Sequence, residues 1–529
     1  MVAVKTVKVG LELESTMHNL EGAISHNGES KNEMFISRFL DLEKKIRKET
    51  GKYLLNHDTE AGYRQVEVRS IEKSDAEDAA RGMLRGIIAL SRYLKNEGMV
   101  MPINETVMCD YEERENCTAH HIMRAADAGS KRARMLVPFL TSFFRNMNDG
   151  AKGMFGISAD DDLGYLECIR NSTTFNSGLH TNLDLSEIEV NGEPLLRKIE
   201  GPNGSHRYGA SDFKYMLMLE KLLYTLSPLF IRHTSISPYA PVCAFAPEIR
   251  EKIRNEYGDV AAIDTGGVSA RIMLMYSINP LVGPDREYEL HGHASYLKYW
   301  NVARSNGFTC ECAISSLDGY TSPFHSYGSL MGLSRYMLDA FNLVGVPEML
   351  GQNPEIAMHW LPVAHPYAYP KSISNGSGAR QALEYKIMGG SVEGVFASAV
   401  LAGIFGAALD VNLREESQIY PTYDRRTRTL VLPHSQPLMK VIKHAIAERN
   451  SVLVDEYNLR LLGALRRMLG ERESWLLGRV TDRVPSERVL EYAEYRPVLT
   501  KEEAEKCVIR TAKENLEIAK EDLEILSME

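Results

Sequence analysis

Four short segments of the chain alternate between polar and aliphatic residues, and this pattern constrains the fold more than any other feature of the sequence. They lie at residues 9–14, 63–70, 179–185 and 383–387. Alternation with a period of two predicts β-strands, because successive side chains of a strand point to opposite faces. Such strands suit an antiparallel sheet that buries its aliphatic face and leaves its polar face to water or a ligand.

The polar faces of the four segments carry carboxylate, amide and imidazole groups at positions i and i+2. The pairs are Glu12 and Glu14, Gln65 and Glu67, His180 and Asn182, and Glu384 and Lys386. If these faces converge, the glutamates repel one another unless a cation lies between them. Oxygen ligands with one imidazole suit Mg²⁺ or Mn²⁺. A single strand of this type is equally well explained as a solvated face, so the prediction depends on all four strands.

Composition and charge exclude several classes of protein and function for this chain. The chain has 44% hydrophobic and 25% charged residues, as ordinary globular proteins do. Its formal net charge of −10 argues against nucleic acid as a partner. No C-x-x-C pair occurs among the seven cysteines, which argues against a zinc ribbon. Without a signal-peptide pattern or an apolar stretch long enough to span a bilayer, we expect a cytoplasmic protein that needs no membrane.

Helical patterns follow the alternating segments. Two capping boxes, Ser74 to Glu77 and Thr500 to Glu503, predict helix starts. Residues 394–409 form the longest uncharged apolar stretch, and the apolar segment 392–409 predicts a buried helix. The sequence thus predicts an α+β catalytic domain over residues 1–436 and a helical C-terminal appendage over residues 437–529.

Two loop segments could belong to a site. Residues 353–379 are rich in proline, glycine, serine and asparagine, which predicts a long ordered loop over a site. The turn Asp264-Thr-Gly-Gly267 could cradle a phosphate or could be a simple tight turn before a strand, and the sequence does not separate these two readings. No phosphate-loop motif is present, so a nucleotide would have to bind through metals and the cations Arg271, Arg380 and Lys386.

The order of these motifs resembles a known family. The motifs are Gly10-Leu-Glu12-Leu-Glu14, Glu60 seven residues before Glu67, Ser177-Gly-Leu-His180-Thr-Asn182, Ser269-Ala-Arg271 and Glu384-Tyr-Lys386. In this order they resemble the carboxylate–amine ligases of the glutamate–cysteine ligase family, within the glutamine synthetase-like superfamily. The resemblance implies a curved, mainly antiparallel sheet that forms a metal-lined funnel flanked by helices. Residues beyond 437 lie outside it.

The resemblance also implies roles for individual residues. One Mg²⁺ would be held by Glu14, Glu60 and Glu67, and a second by Glu12, His180 and Glu384. A third ion at the nucleotide phosphates would share Glu12 and Glu384. Catalytic and ATP-binding roles are implied for Arg271 and Lys386, and Asn182 and Arg380 are further candidates for ATP contacts. The relatives carry arginine at the position of Lys386. Lysine keeps the positive charge but lacks the bidentate fork of arginine.

The implied reaction has two steps. In the first step ATP phosphorylates a substrate carboxylate, which we expect to be the γ-carboxylate of glutamate. In the second step an amine such as that of cysteine displaces phosphate, as in glutathione biosynthesis. A loop over residues 353–379 would protect the acyl-phosphate from water. Two alternatives stay open: phosphotransfer to a guanidino group, and a degenerate ligand-binding member without catalysis. The sequence does not identify the amine. It also leaves the oligomeric state open, and a homo-oligomer is one possibility.

Overall fold

The computed structural model of the chain describes an α+β protein. It covers residues 7–16, 18–19, 53–56, 65–70, 74–96, 98–101, 178–185, 187–190, 192–200, 206–210, 213–242, 253–270, 368–375, 378–385 and 387–528. Helices and strands are both abundant in these residues. The predicted α+β class is therefore confirmed at this coarse level.

The strands and helices of the described residues are numbered in chain order. The strands are β1 (Lys8–Thr16), β2 (His18–Asn19), β3 (Tyr53–Asn56), β4 (Gln65–Ser70), β5 (Ser74–Asp75), β6 (Met99–Val100), β7 (Leu179–Asp184), β8 (Glu189–Val190), β9 (Glu193–Pro194), β10 (Leu196–Glu200), β11 (His206–Ala210), β12 (Tyr239–Pro241), β13 (Ala262–Asp264), β14 (Ala368–Asn375), β15 (Gly378–Tyr385), β16 (Asn412–Glu415), β17 (Thr422–Asp424), β18 (Thr429–Leu432) and β19 (Val498–Leu499). The helices are α1 (Ala76–Asn96), α2 (Phe213–Thr234), α3 (Val392–Ala408), α4 (Ser435–Ala447), α5 (Val452–Met468), α6 (Glu471–Thr481), α7 (Pro485–Tyr492) and α8 (Lys501–Ser527).

A seven-stranded sheet unites the four alternating segments. Its strand order is β14-β15-β7-β1-β4-β3, and β5 pairs with the start of β1. All of these pairings are antiparallel. The segments are far apart in the sequence, yet β15, β7, β1 and β4 are consecutive neighbours in the sheet. Their polar residues can therefore form one continuous surface.

The aliphatic face of this sheet packs on helices. Val9, Leu11 and Leu13 of β1 are all buried, as are Leu179 and Leu383 of the neighbouring strands. Helices α1 and α3 contact this face. Burial of one face pins the register, because a slip of one residue would exchange the buried and exposed sets.

Helix α3 is buried among the described residues, as its sequence predicts. It begins at Val392 after the N-cap Ser391, whose side chain accepts a hydrogen bond from the Gly394 amide at 2.9 Å. Nearly every residue of α3 is buried, because the sheet lies on one side and α1, α2, α6 and α8 surround the rest. A helix enclosed in this way needs no polar stripe.

Two predicted features of the secondary structure are wrong. Ser74 is not an N-cap: Ser74 and Asp75 pair with β1 as a short strand, and α1 begins at Ala76. The extended backbone of Ser74 pairs with β1 of the sheet. The Glu77 carboxylate, predicted to close the capping box, forms an ion pair with Arg472 of α6 at 2.9 Å. The predicted loop over residues 353–379 is wrong for residues 368–375, which form β14, and for Gly378 and Ala379, which begin its partner β15. Pro370 is tolerated there because β14 is the edge strand. Residues 353–367, 376 and 377 lie outside the described residues.

The C-terminal helices share a hydrophobic core with the sheet. Ala519, Ile525 and Leu526 of α8 belong to the same buried cluster as Leu11 and Leu13. The capping box at the start of α8 is confirmed, because the Thr500 side chain and the Glu503 backbone and carboxylate bond reciprocally. Among the described residues, no helix combines the length and apolar composition needed to cross a membrane.

Candidate metal centre

The register of the sheet aligns the polar residues in rows. Glu12 of β1 is opposite His180 of β7 on one side and Arg69 of β4 on the other. In the next row, Glu14 is opposite Glu67. Directly opposed residues of one face lie close enough for their side chains to interact.

A second row lies one step along the sheet from Glu12. Asn182 is opposite Gly10 of β1 and also opposite Glu384 of β15. Glu384 and His180 are therefore diagonal neighbours across two adjacent strands, within reach of their side chains. Three strands from distant parts of the sequence thus contribute to one surface.

Glu12, His180 and Glu384 form a cluster of candidate metal ligands, hereafter the triad. One ligand atom of each residue lies within 4.8 Å of the others. The Nδ1 atom of His180 lies 3.5 Å from Oε2 of Glu12 and 3.5 Å from Oε1 of Glu384. These three residues are the set that the resemblance implies for a second Mg²⁺.

The triad is largely shielded from water. The side chain of Glu384 is 1% exposed, and those of His180 and Glu12 are 16% and 22% exposed. Two carboxylates so close to one imidazole concentrate negative charge in a region where water screens it poorly. A cation that shares the three ligand atoms would offset this charge.

The neighbouring Asn182 supplies an independent observation. Its side chain is buried, and its Oδ1 atom has no hydrogen-bond partner among the described residues. A buried amide oxygen without a partner is costly. Gly10, which is opposite Asn182, has no side chain that could cover this amide. A Cβ at Gly10 would lie 3.8 Å from the Cβ of Asn182, at ordinary contact distance. The site therefore presents an additional oxygen donor beside the triad.

These donors fit a divalent cation. In octahedral coordination at about 2.1 Å, adjacent ligands are about 3 Å apart and opposite ligands about 4.2 Å apart. The 3.5 Å separations in the triad are close to this range. Carboxylate and amide oxygens with one imidazole are the ligands expected for Mg²⁺ or Mn²⁺. The triad and Asn182 could therefore hold such an ion.

Buried hydrogen bonds on the opposite face hold the strands of the triad in place. Thr181 Oγ1 lies 2.8 Å from Ser398 Oγ of α3, and the Tyr385 hydroxyl lies 3.0 Å from Ser227 Oγ of α2. Thr181 follows His180 in the sequence, and Tyr385 follows Glu384. These bonds therefore hold the backbone that carries His180 and Glu384 from the buried face of the sheet.

The turn after β15 is anchored as well. The amide of Gly389 donates to Thr234 Oγ1 at 2.9 Å, and the Ser391 hydroxyl donates to the Thr234 carbonyl at 2.6 Å. Gly389 also bridges to Gly178, whose carbonyl accepts from the amide of Glu14 at 2.9 Å. The C-terminal end of α2 thus links the strands that carry the triad.

Several predicted site residues are only partly described or not described. Glu67 lies in β4 and Arg380 lies in β15, but their side chains are outside the described residues. Arg380 precedes Glu384 by four residues, about 13 Å along the strand. Glu60, Arg271 and Lys386 are themselves outside the described residues, so their predicted roles stay predictions.

The segment at residues 264–267 is a tight turn, but it follows strand β13 and no strand begins in the described residues 265–270. The Asp264 carboxylate accepts from the Gly266 amide at 2.9 Å and forms an ion pair with Arg449. Gly266 has a φ of +72°, which favours glycine at this position. The carboxylate and its arginine are thus occupied with each other, and this supports the tight-turn reading over a phosphate cradle.

One residue of the polar face was given no role from the sequence. Arg69 shares the row of Glu12 and His180, and its neighbour Val68 is fully buried on the other face. The alternation of residues 63–70 placed Arg69 on the polar face. Only the register with β1 sets it beside Glu12, and no local sequence signal contains that register.

The comparisons with known proteins add no family assignment. Neither the protein-family models nor the curated proteins contain a match to this chain.

Proposed function

We propose that this chain is an ATP- and Mg²⁺-dependent carboxylate–amine ligase. Its substrates would be the γ-carboxylate of glutamate and an amino group such as that of cysteine. The observation that supports this proposal is the convergence of Glu12, His180 and Glu384, whose ligand atoms lie within 4.8 Å of one another. The proposal includes a glutamine synthetase-like fold, in which the polar face of the sheet lines a funnel.

The polar face suits phosphoryl transfer. This reaction depends mainly on positioning and on neutralising the charge of the transferred group. When bound, Mg²⁺ would neutralise the phosphate oxygens of ATP. The triad would hold one such ion, and Glu14 with Glu67 in the adjacent row would help to hold another. Two adjacent rows of ligands could thus align a nucleotide and a carboxylate on one surface.

The surrounding residues have separate tasks in this proposal. The buried Glu384 and Asn182 provide a fixed inner wall, because neither side chain is free to reorient in the packed interior. The more exposed Glu12 and Glu14 face the approaching substrates. Arg271, Arg380 and Lys386 remain the proposed cations at the phosphates, with Arg271 at the transferred group. The amine then attacks the activated carboxyl carbon, and phosphate leaves.

The proposed reaction is tested by product analysis. The purified chain is incubated with ATP, Mg²⁺ and glutamate, and candidate amines are added one at a time while phosphate release and product mass are followed. A ligase releases phosphate only with the correct amine and forms an adduct of glutamate and that amine. Transfer of phosphate to a guanidino substrate would instead form ADP without free phosphate. Failure of every amine to promote phosphate release would contradict the proposal.

A matched pair of variants tests the role of the triad. Glu12→Gln removes one charged ligand while it keeps the shape of the side chain, and we expect it to abolish amine-dependent phosphate release. Glu187→Gln is the control, because Glu187 is exposed and pairs with Lys8 at the far end of β1. Full activity of Glu12→Gln would contradict the assignment of Glu12 as a metal ligand.

A further inference from the structure

We propose that Arg69 is a substrate-binding residue that contacts the oxyanion of a ligand held beside the triad. The ligand group would be planar or tetrahedral, a carboxylate or a phosphoryl group. This inference deepens the proposed ligase function and rests on it. It assigns to Arg69 a task that neither the sequence motifs nor the family resemblance contains.

The position of Arg69 is set by the sheet. Val68 is fully buried on the aliphatic face, so its neighbours in β4 lie on the polar face. Arg69 is the direct cross-strand neighbour of Glu12, on the side of β1 away from His180. Adjacent strands are about 5 Å apart, and a long side chain reaches beyond its direct neighbour. The side chain of Arg69 is therefore long enough to bring its guanidinium group to the border of the triad.

Charge explains why a cation is useful at this border. The row beside Arg69 carries Glu12, and the next row pairs Glu14 with Glu67. An anionic substrate that approaches these carboxylates is repelled unless cations accompany it. Lys8, another cation described on this face, is four residues from Glu12 and forms an ion pair with Glu187. Among the described residues, Arg69 is the cation that the register places directly opposite Glu12.

The chemistry of arginine defines the ligand. A guanidinium group presents five N–H donors in a planar fork that matches a carboxylate or phosphate edge. Arg69 already has a partner within the protein. Its remaining donors allow it to hold a partner and an external oxyanion together. An amino group would gain nothing from this arrangement, because it offers no oxygen acceptor to the fork.

Binding measurements test this role separately from catalysis. Calorimetry at saturating Mg²⁺ measures the affinity for a non-hydrolysable ATP analogue in one arm and for glutamate in the other. Electron paramagnetic resonance measures Mn²⁺ affinity without either ligand. The variants are Arg69→Met, which removes the charge, and Arg69→Lys, which keeps the charge but loses the fork. Lys8→Met is the matched control, because it removes a positive charge from the same face at a distance.

We expect Arg69→Met to weaken one of the two ligands by about 10- to 100-fold, as loss of a charged hydrogen bond does. The arm that weakens identifies the oxyanion as phosphate or carboxylate. Mn²⁺ affinity should stay equal or increase, because a nearby positive charge has been removed. Arg69→Lys should weaken the same ligand by a smaller factor, and it carries the test if Arg69→Met fails to fold. Lys8→Met should bind both ligands like the wild type.

Two other results would overturn the proposal in different ways. If Arg69 only balances the charge of Glu12, Mn²⁺ affinity changes in Arg69→Met while both ligands bind as in the wild type. That result refutes the substrate contact and leaves the ligase proposal intact. If the wild type binds neither the ATP analogue nor glutamate, the ligase proposal itself fails, and the inference about Arg69 fails with it.

Discussion

The Nδ1 atom of His180 lies 3.5 Å from a carboxylate oxygen of Glu384, although 203 residues separate them in the sequence. His180 and Glu384 are not directly opposite each other, because Glu384 is opposite Asn182. The contact between them is diagonal across β7 and β15. The Glu384 side chain is almost completely buried, so this proximity is built into the packed sheet rather than formed at a mobile surface. A cation at this contact would lie between strands that the protein interior already holds together.

A divalent cation should stabilise the folded protein through the triad. A ligand that binds only the folded state at 100 times its Kd adds about 2.7 kcal/mol to the free energy of unfolding. We expect Mn²⁺ or Mg²⁺ to raise the unfolding temperature of the wild type and EDTA to reverse the change. Glu384→Gln should lose most of this increase, whereas the exposed Glu187→Gln should keep it. An equal increase in Glu384→Gln, measured by scanning calorimetry, would place the cation elsewhere.

Gly394 should not tolerate a larger side chain. A Cβ at this position would lie 2.3 Å from the carbonyl oxygen of Gly389, in the turn between β15 and α3. The backbone would have to move, so we expect Gly394→Ala to lower the free energy of unfolding by about 2 kcal/mol or more. Since the same turn follows Glu384, the affinity for Mn²⁺ should also fall.

Gly478→Ala is the matched control for Gly394→Ala. Gly478 lies inside α6, and a Cβ there would meet no atom within 4 Å. Alanine is the better helix former, so this variant should be more stable than the wild type by about 0.5–1 kcal/mol. Chemical denaturation measures both variants. Equal effects at the two positions would show that the contact with Gly389 does not limit the turn.

The buried Lys221 should make stability depend on alkaline pH. Burial lowers the pKa of Lys221 from 10.5 to about 8, despite an ion pair with Glu415 at 2.6 Å. Between these two pKa values the unfolded chain binds more protons than the folded protein at this residue, so the free energy of unfolding rises with pH. The charged lysine thus destabilises the fold below pH 8, and this cost disappears as pH increases towards 10.5.

Comparison with a variant isolates this effect from other alkaline titrations. The difference in unfolding free energy between the wild type and Lys221→Met should increase by about 2 kcal/mol from pH 7.5 to 10. Lys440→Met, at an exposed position of α4, reports the changes that all variants share. Denaturant titrations at several pH values measure the difference. A constant difference for Lys221→Met would contradict the lowered pKa.

Arg488 should be essential to the packing of the C-terminal helices. Its guanidinium binds Glu393 at 2.7 Å, in the first turn of α3, and Asn515 of α8 at 3.0 Å. Arg488→Met leaves the carboxylate of Glu393 buried without this cation, which should lower the free energy of unfolding by about 3–5 kcal/mol. Glu393→Met combined with Arg488→Met should recover much of the loss.

An exposed ion pair provides the control for Arg488. Arg414 and Glu416 lie 3.1 Å apart, and both side chains are exposed. Arg414→Met should change the free energy of unfolding by less than about 1 kcal/mol. Denaturant titrations compare the two single variants and the double variant. If Arg488→Met costs no more than Arg414→Met, the C-terminal helices are not held through this pair.

The faces of the strands could be predicted from local sequence. In β1, Leu11 and Leu13 are buried while Glu12 and Glu14 lie on the other face, as their alternation requires. The apolar helix α3 and the Thr500 capping box were also correctly predicted. Each of these features depends on neighbours within a few residues, where side-chain periodicity and backbone hydrogen bonding act directly.

Features that depend on distant partners could not be predicted in this way. Ser74 has the sequence context of an N-cap, but pairing with β1 holds it in a strand. Residues 368–375 contain proline and have loop-like composition, yet pairing with β15 makes them an edge strand. In both segments, hydrogen bonds to a remote strand outweigh a weak local preference.

The sequence by itself determined which side chains lie on the polar face, because the period of a strand is a local property of the backbone. It also supplied the chemistry of that face, carboxylates with one imidazole. Only the tertiary structure decided that Glu12, His180 and Glu384 meet within 4.8 Å and that Arg69 stands beside Glu12. Strand order and register arise from the burial of the opposite, aliphatic face against α1 and α3, and this packing joins segments hundreds of residues apart.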